Sequence, residues 1–224
     1  MADILLVEDD DKLRRSLTIS LKSRGFRVTE ATSARAAITA ARSAEPDLIV
    51  LGLGLPDMDG LELIGILRSL TNEPLLVLSA RTLQSDKVCA LEAGADDFVT
   101  KPFGLEELVA RVRAALRRAA RPATTPWVET PTFTLDFSAM SATVDGAPVR
   151  LTPTEWKLVR LLTERVGEAI TSEDILSEVW GPTYVKQTHY LRVYMAQLRK
   201  KLEHGPQSPR HFLTVPGVGY RFQA

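Results

Sequence analysis

Along the first half of the chain, short and almost uninterrupted apolar runs alternate with longer stretches of helical spacing. The runs Ile4 to Val7, Arg27 to Ala31, Leu48 to Leu51, Leu75 to Leu78 and Asp97 to Thr100 are expected as buried strands. Helices are expected at about Lys12 to Arg24, Ala34 to Arg42, Leu61 to Leu70, Ser85 to Ala93 and Leu105 to Arg118. Strands that are apolar throughout and separated each time by a helix imply a parallel sheet covered on both faces. Such a sheet places its site at the carboxyl ends of its strands. Residues 1–118 are therefore expected to form a five-stranded α/β domain.

The rhythm dissolves at residues 119–131, AARPATTPWVETP, which carry neither period and predict a linker. From residue 132 to 224 the pattern is different. Phe133 to Phe137, Ala142 to Val144 and Pro148 to Leu151 predict short antiparallel strands, with a turn at Asp145-Gly146. Thr152-Pro153-Thr154-Glu155 supplies an N-cap, a proline at the first helical position and a glutamate at the third, and Thr171-Ser172-Glu173-Asp174 repeats the device. A third helix is expected from near Thr188. Phe212 to Val215 and Tyr220 to Phe222, joined through Pro216-Gly217-Val218-Gly219, predict a closing hairpin.

With 224 residues, 45% of them hydrophobic and 25% charged, the chain has material for one or two buried cores. The longest apolar run, Leu48 to Leu55, falls well short of the roughly 20 residues of a spanning helix, and Ile4 to Val7 is too short for a signal sequence. A cytoplasmic protein with no membrane partner is expected. The single cysteine, Cys89, cannot form an internal disulfide, and its neighbours Val88, Ala90 and Leu91 predict a packed thiol. His189, His204 and His211 lack metal-ligand spacing, so no zinc site is expected. Net charge is zero but unevenly spread: from Lys186 onward seven Lys or Arg face one acid, a balance of +6, whereas Glu8, Asp9, Asp10 and Asp11 run in succession near the start.

The expected topology brings the ends of several strands to one edge. Glu8 and Asp9 follow the first, Ser79 ends the fourth, and Lys101 ends the fifth. Adjacent carboxylates make a hard oxygen site suited to Mg²⁺, a hydroxyl can bond a phosphoryl oxygen, and a lysine balances charge. The stretches ILLVEDD, PDLIVLGLGLPDMDG, LVLSA and AGADDFVTKPF, with the helix after them, resemble a response-regulator receiver domain from Asp3 to about Arg118. In that family a sensor histidine kinase passes a phosphoryl group to an aspartate that ends the third strand. Mg²⁺ is held by that aspartate, the acidic pair and a backbone carbonyl two residues on.

Here the third strand ends at Gly52, so the position implied for the acceptor has no side chain and should not accept a phosphoryl group. The remaining ligands would be Glu8, Asp9 and the Gly54 carbonyl, and weak Mg²⁺ binding is expected. Gly52 is open to two explanations, a replacement or a natural regulator that works without phosphate. Asp57 and Asp59 lie past Pro56, too displaced for in-line attack. The segment Asp57 to Gly60 also resembles the D-x-D-G element of haloacid-dehalogenase-type phosphatases, but there the nucleophile ends a strand directly, and a non-enzyme is the expectation. The resemblance makes Ser79 and Phe98 a switch pair; simple packing is the alternative for Phe98. By resemblance to the OmpR/PhoB subfamily, Lys87, Asp96, Asp97, Glu107, Arg111 and Arg118 match a homodimer interface. The alternative is a solvated charged face, where each exposed pair contributes about 0–1 kcal/mol.

In YLRVYMAQLRKKL, residues Leu191, Tyr194, Met195, Leu198 and Leu202 form one apolar arc. The other arc carries His189, Arg192, Val193, Ala196, Gln197 and Lys200, a basic, amide-bearing and small set suited to a DNA major groove. Three helices followed by a glycine-rich hairpin resemble the winged-helix output domain of the same subfamily. That resemblance implies double-stranded DNA with direct-repeat half-sites as the ligand. Base reading is expected from Tyr190, Val193 and Gln197, and phosphate or base contacts from His189, Arg192, Arg199 and Lys200. Arg210 and Arg221 are expected at phosphates, while Pro216 stands where many relatives carry a wing arginine. Trp180 is open to two readings, a contact to DNA or RNA polymerase and a core tryptophan.

Overall fold

The structure is a computed structural model and describes residues 1–81, 83–118 and 127–224. The chain divides into two compact units, Met1–Ala119 and Ala120–Ala224. In the first, strands and helices alternate: β1 (Asp3–Val7), α1 (Asp11–Ser23), β2 (Arg27–Ala31), α2 (Ala34–Ser43), β3 (Leu48–Gly52), α3 (Gly60–Leu70), β4 (Leu75–Ser79), α4 (Gln84–Glu92), β5 (Asp97–Thr100) and α5 (Leu105–Arg118). The sheet is parallel with order β2-β1-β3-β4-β5, so the strand order reverses at β1 and opens a crevice at the carboxyl ends of β1 and β3. Ile4, Leu6, Leu48, Val50, Leu76 and Leu78 pack with Leu17 and Leu21 of α1 and Leu108, Val109 and Val112 of α5. Residues of opposite parity, including Leu5, Ile49, Leu51 and Val77, are equally buried, so the sheet is covered on both faces, as continuous apolar strands require.

Two expectations for this unit need correction. β2 is not buried: it lies at the edge of the sheet, and Arg27, Thr29 and Glu30 are exposed. Its polar residues give it one wet face, which an edge strand tolerates. Cys89 is exposed rather than packed, because α4 buries only Ala90 and Leu91 and a helix turns the preceding residue away from them.

The second unit begins earlier than expected. Residues 119–126 of the anticipated linker lie outside the described residues, but Trp127–Glu129 within it forms β6. With β7 (Phe133–Asp136), β8 (Ser141–Val144) and β9 (Ala147–Val149) it makes an antiparallel sheet in chain order. Then come α6 (Pro153–Glu164), β10 (Ile170–Thr171), α7 (Ser172–Val179), a 3₁₀ turn at Pro182–Tyr184, α8 (Thr188–Leu202), β11 (Phe212–Val215) and β12 (Gly219–Phe222). Thr152 and Glu155 form the full reciprocal capping box at α6. The Thr171 hydroxyl accepts from the Asp174 N–H at α7. β10, β12 and β11 form a small antiparallel sheet whose β11–β12 hairpin is the expected wing. No helix among the described residues is long and apolar enough to cross a membrane.

Candidate functional site

At the carboxyl edge of the parallel sheet the predicted residues converge. Glu8, 1% exposed, leaves β1 with its side chain turned inward, whereas Asp9 is exposed. Lys101, just past β5, donates from Nζ to Glu8 Oε2 at 2.7 Å. Ser79 is buried at the end of β4, and its Oγ accepts from the Arg81 N–H at 3.0 Å. Gly52 ends β3 between them. A Cβ built on Gly52 would lie 2.6 Å from Glu8 Oε2 and 3.1 Å from Glu8 Cδ, so the Glu8 carboxylate fills the space where a side chain at position 52 would begin. The backbone of Glu8 and Asp9 is itself clamped: Arg14 donates from Nη1 to the Glu8 and Asp9 carbonyls at 3.0 and 3.3 Å, and its guanidinium pairs with Asp11 and Glu30. Nothing in the sequence pattern singled out Arg14 or Arg81; only the closeness of Arg14 to the acidic run could have.

The other acids at this edge are engaged in holding helices. Asp10 caps α1, accepting from the Lys12 and Leu13 N–H groups. Asp57 accepts from Ala34 and Arg35 at the start of α2, at 2.8 and 3.0 Å. Asp59 caps α3 through Leu61 and pairs with Arg81 at 3.2 Å. Each carboxyl is held below its usual range, by the N–H of Leu13 at Asp10, of Arg35 at Asp57 and of Leu61 at Asp59. Asp57 and Asp59 therefore face helix ends, and neither is directed at the space above Gly52.

Mg²⁺ fits this donor set poorly. It demands near-octahedral oxygen ligation at about 2.0–2.1 Å. Glu8 is committed to Lys101, and among the described residues no group of three or more His, Cys, Asp or Glu is placed to hold a metal. That leaves exposed Asp9 and the carbonyl of Gly54, whose backbone is bridged to Asp59.

Phe98 is buried. Of the residues expected on the β5–α5 face, Asp97, Glu107 and Arg111 come together, with Arg111 3.2 Å from Asp97 and 2.7 Å from Glu107. Lys87 is half-buried on α4. The Arg118 side chain lies outside the described residues. Asp96 does not belong to this face: it is 6% exposed, pairs with Arg68 and accepts from the Leu75 N–H at 3.0 Å. Its role is to tie α3 to the start of β4.

In the second unit, α8 buries Leu191, Tyr194, Met195, Leu198 and Leu202 and exposes Arg192, Ala196 and Lys200. His189, Val193 and Gln197 are half-buried beside them. Tyr190 is a correction: it is 4% exposed and lies edge-on to Tyr184 and Trp180, with ring centroids 5.8 and 6.4 Å away, so it cannot reach a base. Trp180 is likewise a core residue, 5.1 Å from the Tyr194 ring. Arg199 is the second correction. Its guanidinium donates to the Phe212 carbonyl at 2.8 and 2.6 Å and to Thr214 Oγ1 at 2.8 Å, and it lies over the Tyr220 ring. Burial pushes Arg199 down and Tyr220 up. It fastens the wing to α8 rather than offering its charge to a phosphate. Arg210 is exposed and Arg221 half-buried. Between the start of α8 and the wing lies a groove of about 860 Å³, lined by Thr171, Ser172, Lys186, Thr188, Arg192 and Thr214 among others. Lys186, which opens the basic segment, and Thr171 and Ser172, the N-cap and first residue of α7, line this groove together.

Comparison with known proteins accounts for both units. Residues 4–113 match the response regulator receiver domain, and residues 146–222 match the C-terminal domain of transcriptional regulatory proteins. The transcriptional regulatory protein KdpE of Mycobacterium tuberculosis is 49% identical over 226 residues, covering all of both chains. The KDP operon transcriptional regulatory protein KdpE of Escherichia coli is 47% identical over 223 residues, covering 99% of each. Among solved structures, a RitR mutant matches with a TM-score of 0.81 at 26% identity, over 100% of this chain and 99% of that one. DrrB, an OmpR/PhoB homologue from Thermotoga maritima, matches with a TM-score of 0.53 at 26% identity over all of both chains.

Proposed function

The chain belongs to the response regulators of the OmpR/PhoB type, and we propose that it acts as a KdpE-like, sequence-specific DNA-binding regulator whose input site cannot take a phosphoryl group in the usual way. The potassium-transport operon is the proposed target, with a KdpD-like sensor histidine kinase and RNA polymerase as protein partners in the cytoplasm. The observation that carries the reading is Gly52 at the end of β3, with no carboxylate oxygen to offer and Glu8 turned into its side-chain space. An acyl phosphate forms when a carboxylate oxygen attacks the donor phosphorus and the bond to the leaving group breaks. Gly52 supplies no such oxygen, Asp57 and Asp59 are held at helix ends, and Glu8 is held by Lys101.

The exposed α8 residues Arg192 and Lys200, with His189, Val193 and Gln197 beside them, support major-groove binding by the second unit. Two copies on direct-repeat half-sites are the proposed DNA-bound form, with Asp97, Glu107 and Arg111 contributing to the contact between copies. Without phosphate as a switch, dimerisation would follow concentration and DNA occupancy. A regulator controlled by abundance or by a ligand is the second reading, favoured by the internally paired Glu8 and Lys101.

The test compares the chain with Gly52→Asp. The aspartate form is expected to take label from a small acyl phosphate and to gain dimer and DNA affinity on labelling, while the glycine form stays at background. Equal labelling of the two would sink the proposal for the site.

A further inference from the structure

We infer that Lys101 is the standing cation of the sheet-edge site: through its ion pair with Glu8 it takes the place of a divalent metal and closes the site to one. The inference rests on the reading of Gly52 given above and extends it to the metal. Glu8 and Lys101 meet at 2.7 Å, with the Glu8 side chain 2% and the Lys101 side chain 25% exposed. A charge-assisted bond with one partner so well shielded is stronger than its solvated counterpart, and opening it leaves a buried carboxylate unpaired.

The direction of Glu8 is what makes the pair exclusive. Its carboxylate lies under Gly52, in space that any Cβ at that position would claim at 2.6 Å, while Asp9 stays on the exposed side. For Mg²⁺ to use both carboxylates, Glu8 would have to leave Lys101 and rotate outward. The ammonium would then face a dication with its own counter-charge withdrawn. A dehydration-reluctant ion offered Asp9 and one carbonyl has little to set against that cost. The same geometry predicts how the site reopens. An aspartate at position 52 meets the far end of the flexible Glu8 side chain at 2.6 Å and, less closely, the Val7 carbonyl oxygen at 3.3 Å, so it displaces Glu8 toward Asp9 and adds a carboxylate of its own.

The test is an Mg²⁺ titration of the full chain, followed by the amide resonances of Glu8, Asp9 and Gly54 and by the Lys101 ammonium resonance. In the unmodified chain these signals are expected to show no saturable change through the millimolar range. Lys101→Met, which frees Glu8, is expected to raise Mg²⁺ affinity roughly tenfold or more, in line with removal of an adjacent like charge. Gly52→Asp is expected to raise it at least as much. Saturable binding by the unmodified chain with the affinity of Gly52→Asp would overturn the inference, and so would an unchanged affinity in Lys101→Met. If Lys101→Met fails to fold, the ammonium resonance of the unmodified chain decides: a shift on adding Mg²⁺ overturns the inference, and invariance supports it. Acyl-phosphate labelling of the same samples reports separately on Gly52, so a failure of that reading and a failure of this one are distinguishable.

Discussion

Gly52 and Gly60 sit eight positions apart and omit a side chain for opposite reasons. Around Gly52 the nearest obstacle is a carboxylate that can swing away; around Gly60 it is the backbone of Leu53, whose Cα and carbonyl oxygen would lie 2.6 and 2.9 Å from an added Cβ. Main chain cannot yield cheaply, so Gly60→Ala is expected to destabilise the first unit by about 1–3 kcal/mol, as overpacking does. Gly65, inside α3 with nothing within 4 Å of an added Cβ, is the control: Gly65→Ala should stabilise by up to about 1 kcal/mol through helix propensity. Urea midpoints measure both, and equal effects of the two would refute the assignment of Leu53 as the obstacle. The sequence showed that both were glycines and nothing about which neighbour was waiting. Tyr190 was legible and misread: four residues before Tyr194, it shares the buried arc by helical spacing. Asp96 and Arg199 were not legible, since their partners Arg68 and Phe212 are set by tertiary contact.

Helices and strands were better written in the chain than their partners. Five runs and five helical patterns map onto β1–β5 and α1–α5 within a residue or two of the observed ends; for β1, β3 and β4, burial on both faces leaves no polar alternation to confuse the period. β6 escaped because a strand of three residues, Trp127–Glu129, offers no period at all. Capping is where sequence and energetics meet, and it gives the first unit an acid-sensitive edge. Asp57 has its carboxyl lowered by the Arg35 and Ala34 N–H groups. A lowered folded-state value means that the carboxylate stabilises fully above its unfolded value, about 3.9, and that this stabilisation fades as pH falls through the lower folded value. Asp57→Asn keeps an oxygen for those N–H groups but cannot titrate. Its urea midpoint should therefore decline less steeply with pH below about 4 than that of the unmodified chain. Parallel acid limbs in the two proteins would show that the cap at α2 carries no linkage.

A zero net charge conceals a molecule whose acidic residues cluster at one unit's strand ends and whose basic residues cluster at the other's third helix, and only the second arrangement should respond to salt through DNA. Arg199 and Lys200 are neighbours in sequence and both count toward that basic segment, yet the structure gives them different work. Lys200 is exposed on α8, whereas Arg199 spends its donors on Phe212 and Thr214. Each phosphate contact that releases counterions adds about 0.9 to the slope of log affinity against log salt. Lys200→Ala should therefore flatten that slope by about 0.9 while leaving the fold intact. Arg199→Ala removes an anchor of β11 and leaves the Phe212 carbonyl short of a donor, so it should lower DNA affinity by a similar factor at every salt concentration, with the slope unchanged. It should also lower the urea midpoint of the second unit, which Lys200→Ala should not. Fluorescence anisotropy with an operator-length duplex across a salt series separates the two. A flattened slope for Arg199→Ala would return that arginine to the phosphate-contacting set and remove the wing-anchoring role assigned to it.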